Sequence, residues 1–168
     1  PHEPVASPPE LVEQYTGVTW HPDQAQYFAN VHNVDLAVGK VVQTLQKLGV
    51  RDNTLIAFTS DNGPETLKRY RSANRSWGNT AHLRGMKLHT HDGGFHVAGI
   101  VNWPGGIKPG QVVDTPASAL DLLPTACALA DVPVPVHRSL DGVNLASLFI
   151  TGQAPARKKP LVWAYYNG

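Results

Sequence analysis

The stretch Thr54-Leu55-Ile56-Ala57-Phe58-Thr59-Ser60-Asp61-Asn62-Gly63-Pro64 decides the fold class. Residues 54–60 are apolar or β-favouring at nearly every position, the pattern of a strand buried on both faces as in a parallel sheet. Asp61-Asn62-Gly63-Pro64 then stops it, because Gly and Pro punctuate extended structure. On the amino-terminal side, Tyr27, Val31, Val34, Val38, Val41, Leu45 and Leu48 recur at spacings of three and four. That spacing predicts a helix over residues 23–48 with one apolar face. Pro22 and Asp23 suit its first turn and Gly49 its stop. At ~1.5 Å per residue it is about 39 Å long, enough to cross a sizeable sheet. Helix, short loop and strand make half of an α/β unit. In open α/β sheets ligands bind beyond the carboxyl ends of the strands, where Asp61 and Asn62 stand.

Further out the pattern is looser. Four prolines within residues 1–9 predict an extended or turn-like start. Residues 65–94 read as one long loop, and loops of that length in compact domains tend to be functional or disordered. Residues 97–101 predict a second buried strand. Trp103-Pro104-Gly105-Gly106-Ile107-Lys108-Pro109-Gly110 is dense turn chemistry, after which 111–114 fit a short strand. Residues 120–130 predict a helix with Pro124 in its first turn and Asp121 as N-cap. Residues 161–166 predict a last strand.

Composition bounds the function. Of 168 residues, 42% are hydrophobic and 16% charged, which argues against disorder. No apolar run approaches the ~20 residues of a membrane span. A net charge of +1 gives no global attraction to nucleic acid or membrane. With Cys127 as the single cysteine, no internal disulfide forms. It sits among Ala and Leu and reads as a core hydrophobe. Charge is uneven, however. Residues 66–91 carry Lys68, Arg69, Arg71, Arg75, Arg84 and Lys87 with no acidic residue. This is either a solvated loop or a funnel for an anionic substrate.

Three groups could carry chemistry. Asp61 and Asn62 offer a carboxylate and an amide oxygen, the ligands hard cations such as Ca²⁺ and Mg²⁺ favour, although Asp-Asn-Gly is also ordinary turn chemistry. Lys87 lies among glycines, where an ammonium can approach an anionic oxygen closely, or is a surface lysine. His89, His91 and His96 invite a transition-metal site, since a His-x-His pair on a strand puts both rings on one face. Against that stand the lack of a nearby Cys and of a helical His-Glu-x-x-His motif.

Together these pieces resemble the sulfatase family within the alkaline-phosphatase-like superfamily. The matching residues run in family order: Pro1-His2-Glu3-Pro4, Val34-Asp35 with Val38-Gly39, Asp52-Asn53-Thr54-Leu55 and Phe58 through Pro64. Leu83-Arg84-Gly85-Met86-Lys87, Gly93-Gly94, Trp103-Pro104-Gly105 with Ile107-Lys108-Pro109-Gly110, Leu120 through Thr125, and Leu140-Asp141-Gly142 follow. The resemblance implies an α/β fold, part of an alkaline-phosphatase-like sandwich with a central, mostly parallel sheet. Residues 1–135 would be the carboxyl-side part of the catalytic domain, and 136–168 a connection and the start of a small C-terminal subdomain.

By the same resemblance Asp61 and Asn62 are ligands of Ca²⁺, with Mg²⁺ as the alternative. Lys87 contacts the sulfate group with Arg84 beside it, and His2 lies near the leaving oxygen. The substrate would be a sulfated small molecule or glycan, in a periplasmic, secreted or lysosome-like setting. The family's nucleophile is a formylglycine made from the Cys of Cys-x-Pro-Ser-Arg; Cys127, in Ala-Cys-Ala-Leu-Ala-Asp, does not match it. The expectation is therefore that the nucleophile lies upstream and that this chain alone is inactive. The sequence also departs from the family pattern, with His91, Asp92 and His96 around Gly93-Gly94 and Ala164 near the end. Two rivals are a non-catalytic relative that binds polyanionic glycan and a phosphodiesterase or phosphonate hydrolase of the same superfamily.

Overall fold

The computed structural model describes residues 5–69, 71 and 73–164. They form two compact units that interleave along the chain. The first holds the described residues up to Val50 and those of Asn62–Val97, and the second holds Arg51–Asp61 and the described residues from Ala98 onward.

The first unit is built on two helices. α1 (Pro9–Thr16) follows Pro8, whose φ of −52° and ψ of 134° keep the chain extended. The predicted extended start therefore ends at Pro8. Pro9 opens a helix, because its fixed φ and missing N–H suit a first turn. α2 (Pro22–Lys47) is the predicted long helix, 26 residues. His21 caps it by accepting Asp23 N–H at Nδ1. At the other end Gly49, at φ +67°, donates to Gln46 O, and Val50 donates to Leu45 O. This pair of bonds is a Schellman close, which needs a left-handed residue and so favours glycine. α1 packs on α2 where Ala25 and Ala29 are fully buried, small side chains letting the backbones approach. Leu11 is buried at this contact, and Tyr15 meets Phe28 and His32 edge-on at 6.0 Å. The helix that the sequence predicts to cross a sheet thus has α1 as its described helical partner. The later part of its apolar face is open, with Val31, Val34 and Val41 exposed.

The second unit contains β1 (Ile56–Thr59) and β2 (Gly99–Asn102), paired antiparallel with Ile56 opposite Asn102 and Thr59 opposite Gly99. Both strands fall where the sequence predicts them, at 54–60 and 97–101, but they are neither parallel nor buried on both faces. Phe58 and Ile100 are exposed, because the described residues give each strand one partner and cover its faces little. Two motifs close the far end of the pair. Trp103 Nε1 and Gly105 N both donate to Asp52 O, at 2.9 and 3.0 Å. Residues 111–114 have no regular structure, nor do 161–164, while the end of the predicted last strand lies outside the described residues.

A 3-10 turn (Ala119–Asp121) leads into α4 (Leu122–Leu129), with Pro124 in the first turn as predicted. Asp121 stands at the N-cap of α4, yet its side chain does not cap that helix. It accepts Ser118 N at 2.8 Å, Val143 N at 2.8 Å and both terminal nitrogens of Arg157. Thr125, also buried, accepts Leu145 N and so joins α4 to the turn before α5 (Ala146–Thr151). Cys127 is half-buried rather than core. Among the described residues no helix is long and apolar enough to cross a membrane.

Candidate functional site

β1 ends at Thr59, and the chain turns through Ser60, Asp61 and Asn62. Asp61 is exposed, and its carboxylate accepts a long bond from the Ser60 hydroxyl at 3.4 Å. Asn62 is half-buried and donates from Nδ2 to Gly63 O at 2.8 Å. An amide nitrogen has no available lone pair, so the oxygen is the atom with which Asn62 would meet a cation. The pair is thus an all-oxygen donor set, which fits Ca²⁺ or Mg²⁺ and not a thiophilic metal. It supplies two of the six to eight oxygens such ions take.

From Asn62 onward the turn is stitched to the loop that carries Lys87. Gly63 N donates to Gly94 O at 2.7 Å, Lys87 N to Pro64 O at 3.0 Å, and Gly93 N to Arg84 O at 2.7 Å. These backbones touch so closely that only glycine fits. A Cβ on Gly63 would overlap Gly93 O, one on Gly93 would overlap Gly85 O, and one on Gly94 would overlap His89 O. Gly85 itself needs its left-handed φ of +85°. The structure therefore brings Asn62, Arg84 and Lys87 onto one cross-linked patch of backbone.

Lys87 is half-buried, and among the described residues its ammonium has no carboxylate partner. Leu88, the next residue, has φ +72°, a strained position for a bulky side chain costing roughly 1–2 kcal/mol. Such strain persists where surrounding bonds over-determine the backbone, as they do here. Arg84 is exposed on the same loop. His2 lies outside the described residues.

The start of the loop is anchored separately. Glu65 accepts Thr66 N and Leu67 N at 3.0 Å each and pairs with Arg69. Burial alone would raise its carboxyl pKa, but these bonds and the Arg69 charge hold it below the usual carboxylate range.

The histidines do not form a strand pair, in keeping with the loop predicted over residues 65–94. His89 and His91 lie in the turn before α3 (Asp92–Phe95), with ring centroids 6.3 Å apart, and His89 Nδ1 accepts Met86 N. Among the described residues no three His, Cys, Asp or Glu side chains converge to hold a metal. Sequence reasoning missed the close contact of Gly63 with Gly93 and Gly94. Its visible signal was the density of glycine at 85, 93 and 94 in a stretch predicted to be irregular.

The family profile described as Sulfatase matches residues 1–132. Steryl-sulfatase of Rattus norvegicus is 39% identical over 154 residues, 92% of this chain and 26% of that protein. Arylsulfatase A of Homo sapiens is 42% identical over 123 residues, 73% of this chain and 23% of that protein. The crystal structure of Ps i-CgsB in complex with k-i-k-neocarrahexaose superposes with a TM-score of 0.79 at 36% identity, covering 91% of this chain and 32% of that one. The chain thus spans about a quarter of the length of the curated relatives it matches. Its units share the alkaline-phosphatase-like fold of these neighbours, and the chain belongs to the sulfatase family.

Proposed function

We propose that the chain supplies the charge-binding part of a sulfate-ester hydrolase. The observation that carries this is the bonding of the Asn62-Gly63-Pro64 turn to the Lys87 loop through backbone, within a family match that runs through both. Asp61 and Asn62 would hold a divalent cation, Ca²⁺ in the first instance, through their side-chain oxygens. When bound, the cation neutralises charge on the sulfuryl oxygens. Lys87 adds a point charge there, and the glycine contacts hold its backbone so that little reorganisation is needed as charge develops. Arg84 offers a second, exposed cation to the same group. His2 would protonate the departing alkoxide. Hydrolysis then gives an alcohol and inorganic sulfate. The family's formylglycine nucleophile is not among these residues. We further propose that β1 and β2 belong to a larger, mostly parallel sheet, with 1–135 in the catalytic domain and 136–168 leading into a C-terminal subdomain. A relative solved with a carbohydrate, together with the basic stretch from Lys68 to Lys87, supports a sulfated glycan as substrate.

Two substitutions in the full-length protein test the assignment. Asp61→Ala should lose Ca²⁺ affinity in a calorimetric titration and activity with it, part of the activity returning at high Ca²⁺. Lys87→Ala should bind Ca²⁺ as before but lose ~10²–10³ in kcat at saturating metal. Unchanged Ca²⁺ binding in Asp61→Ala, or near-parental kcat/KM in Lys87→Ala, overturns the role of that residue. Faster turnover of an aryl phosphate than of the matching aryl sulfate would move the protein to phosphoryl transfer.

A further inference from the structure

The first unit carries a second cationic group of unusual construction, linked to the Lys87 loop through Thr66, whose hydroxyl meets Met86 Sδ at 2.9 Å. The Arg75 guanidinium lies over the Trp77 ring, 4.4 Å from its centroid, and Arg75 Nε makes a long bond to Thr66 O at 3.4 Å. Its backbone is held as well, Arg75 N donating to Asp23 Oδ2 at 2.8 Å. Among the described residues Arg75 has no carboxylate partner for its guanidinium, and neither terminal nitrogen has a protein acceptor. An arginine stacked on an aromatic ring and left unpaired is a planar, pre-oriented donor for a tetrahedral oxyanion.

Beside it, the His21 ring meets Trp77 at 6.0 Å. The preceding residue, Trp20, is 91% exposed, although its backbone is fixed by the bond from Trp20 N to Gln24 Oε1 at 3.0 Å. A large ring standing in solvent on an anchored backbone is the kind of surface on which a sugar ring lies flat, its apolar face against the aromatic one. Lys68 and Arg71, exposed a few residues earlier in the chain, add positive field.

We propose that Arg75, braced by Trp77 and His21, and the neighbouring Trp20 form an accessory subsite for a sulfated sugar residue. This subsite adjoins the one that Lys87 serves, through Thr66, and it recognises a second sugar residue of a longer glycan chain. The proposal rests on the sulfate-ester hydrolase assignment for its substrate class. Arg75 binds the sulfate group, and Trp20 supplies stacking that does not depend on sulfate.

The test is the affinity of the full-length protein for a carrahexaose and for the same hexasaccharide after desulfation, by calorimetry at low salt. Wild-type protein should prefer the sulfated form. Arg75→Gln should weaken the sulfated form about tenfold and remove the preference. Arg75→Lys should not restore it, because an ammonium lacks the planar fork. Trp20→Ala should weaken both forms about three- to tenfold. Wild-type affinity for both sugars in Arg75→Gln overturns the subsite. So does a fall in Tm in that variant with affinity intact, which would assign Arg75 to packing. Turnover of a small aryl sulfate by the wild-type protein reads the hydrolase assignment separately. No turnover with these affinity differences intact refutes that assignment alone, and turnover with unaltered affinities refutes the subsite alone.

Discussion

Replacing Arg157 should destabilise the second unit more than any exposed charge change. Asp121 is fully buried, and Arg157 is 18% exposed. Besides the two nitrogens of Arg157, the carboxylate takes Ser118 N and Val143 N. It thus ties three separate stretches of chain together. Removing one partner of a buried pair costs about 3–5 kcal/mol, and the slight exposure of Arg157 puts Arg157→Ala at the lower end, ~3 kcal/mol. For a chain of this size that is about 6–12 °C in Tm, read by calorimetry or circular dichroism. The pH dependence gives the mechanism its own signature. Burial alone would raise the Asp121 pKa, but the bonds from Arg157, Val143 and Ser118, with the guanidinium charge, outweigh it and hold the carboxyl below its usual range. A depressed folded-state pKa means the stabilisation is whole above the unfolded value of about 3.9 and is lost as pH falls through the folded one. Asp121→Asn should therefore melt below wild type by a constant margin between pH 5 and 7, and the margin should close below about pH 4. An Asp121→Asn protein within about 1 °C of wild type at pH 7 refutes the reasoning, as does a margin that widens on acidification.

Two glycines of the first unit should respond to the same substitution with opposite signs. Gly49→Ala places a Cβ at φ +67° and should cost about 1 kcal/mol, whereas Gly39→Ala, within α2 and with open space around it, should add up to about 1 kcal/mol, both read by denaturant melts. Gly94→Ala should cost about 2–3 kcal/mol, because the new carbon meets His89 O and Met86 O, both backbone atoms. In the full-length protein it should also lower kcat by more than tenfold, since it displaces the Lys87 loop. Parental kcat in a folded Gly94→Ala protein would show that the glycine contacts do not position Lys87.

What was legible in the sequence was local. The three-and-four spacing and the Pro22 and Gly49 signals place α2 within a residue at each end, because periodicity and capping are properties of neighbours in the chain. The strands at 56–59 and 99–102 were legible as positions but not as a pair, since the direction of pairing depends on which edges meet in space. α1 was hidden by a reading of Pro8 and Pro9 as extended, although Pro9 at a first turn with Leu11 and Tyr15 four apart is also a helix start. Asp121 looked like a cap, and its true partner, Arg157, lies 36 residues away, beyond the reach of any local pattern.

The same distinction runs through the candidate site. Asp61, Asn62, Arg84 and Lys87 are visible one by one as residue types beside turns, and nothing local says that two of those turns are bonded to each other. That juxtaposition is backbone chemistry: Gly63 to Gly94, Lys87 to Pro64 and Gly93 to Arg84, at 2.7 to 3.0 Å. The departures from the family pattern lie outside these bonds. His91 and His96 flank α3, Asp92 opens it, and all three are exposed, as is Ala164. None of their side chains makes the bonds between the two turns, so exchanging them leaves the approach of Gly63, Gly93 and Gly94 unchanged. The position of the Lys87 backbone therefore depends on residues that have no side chain to vary.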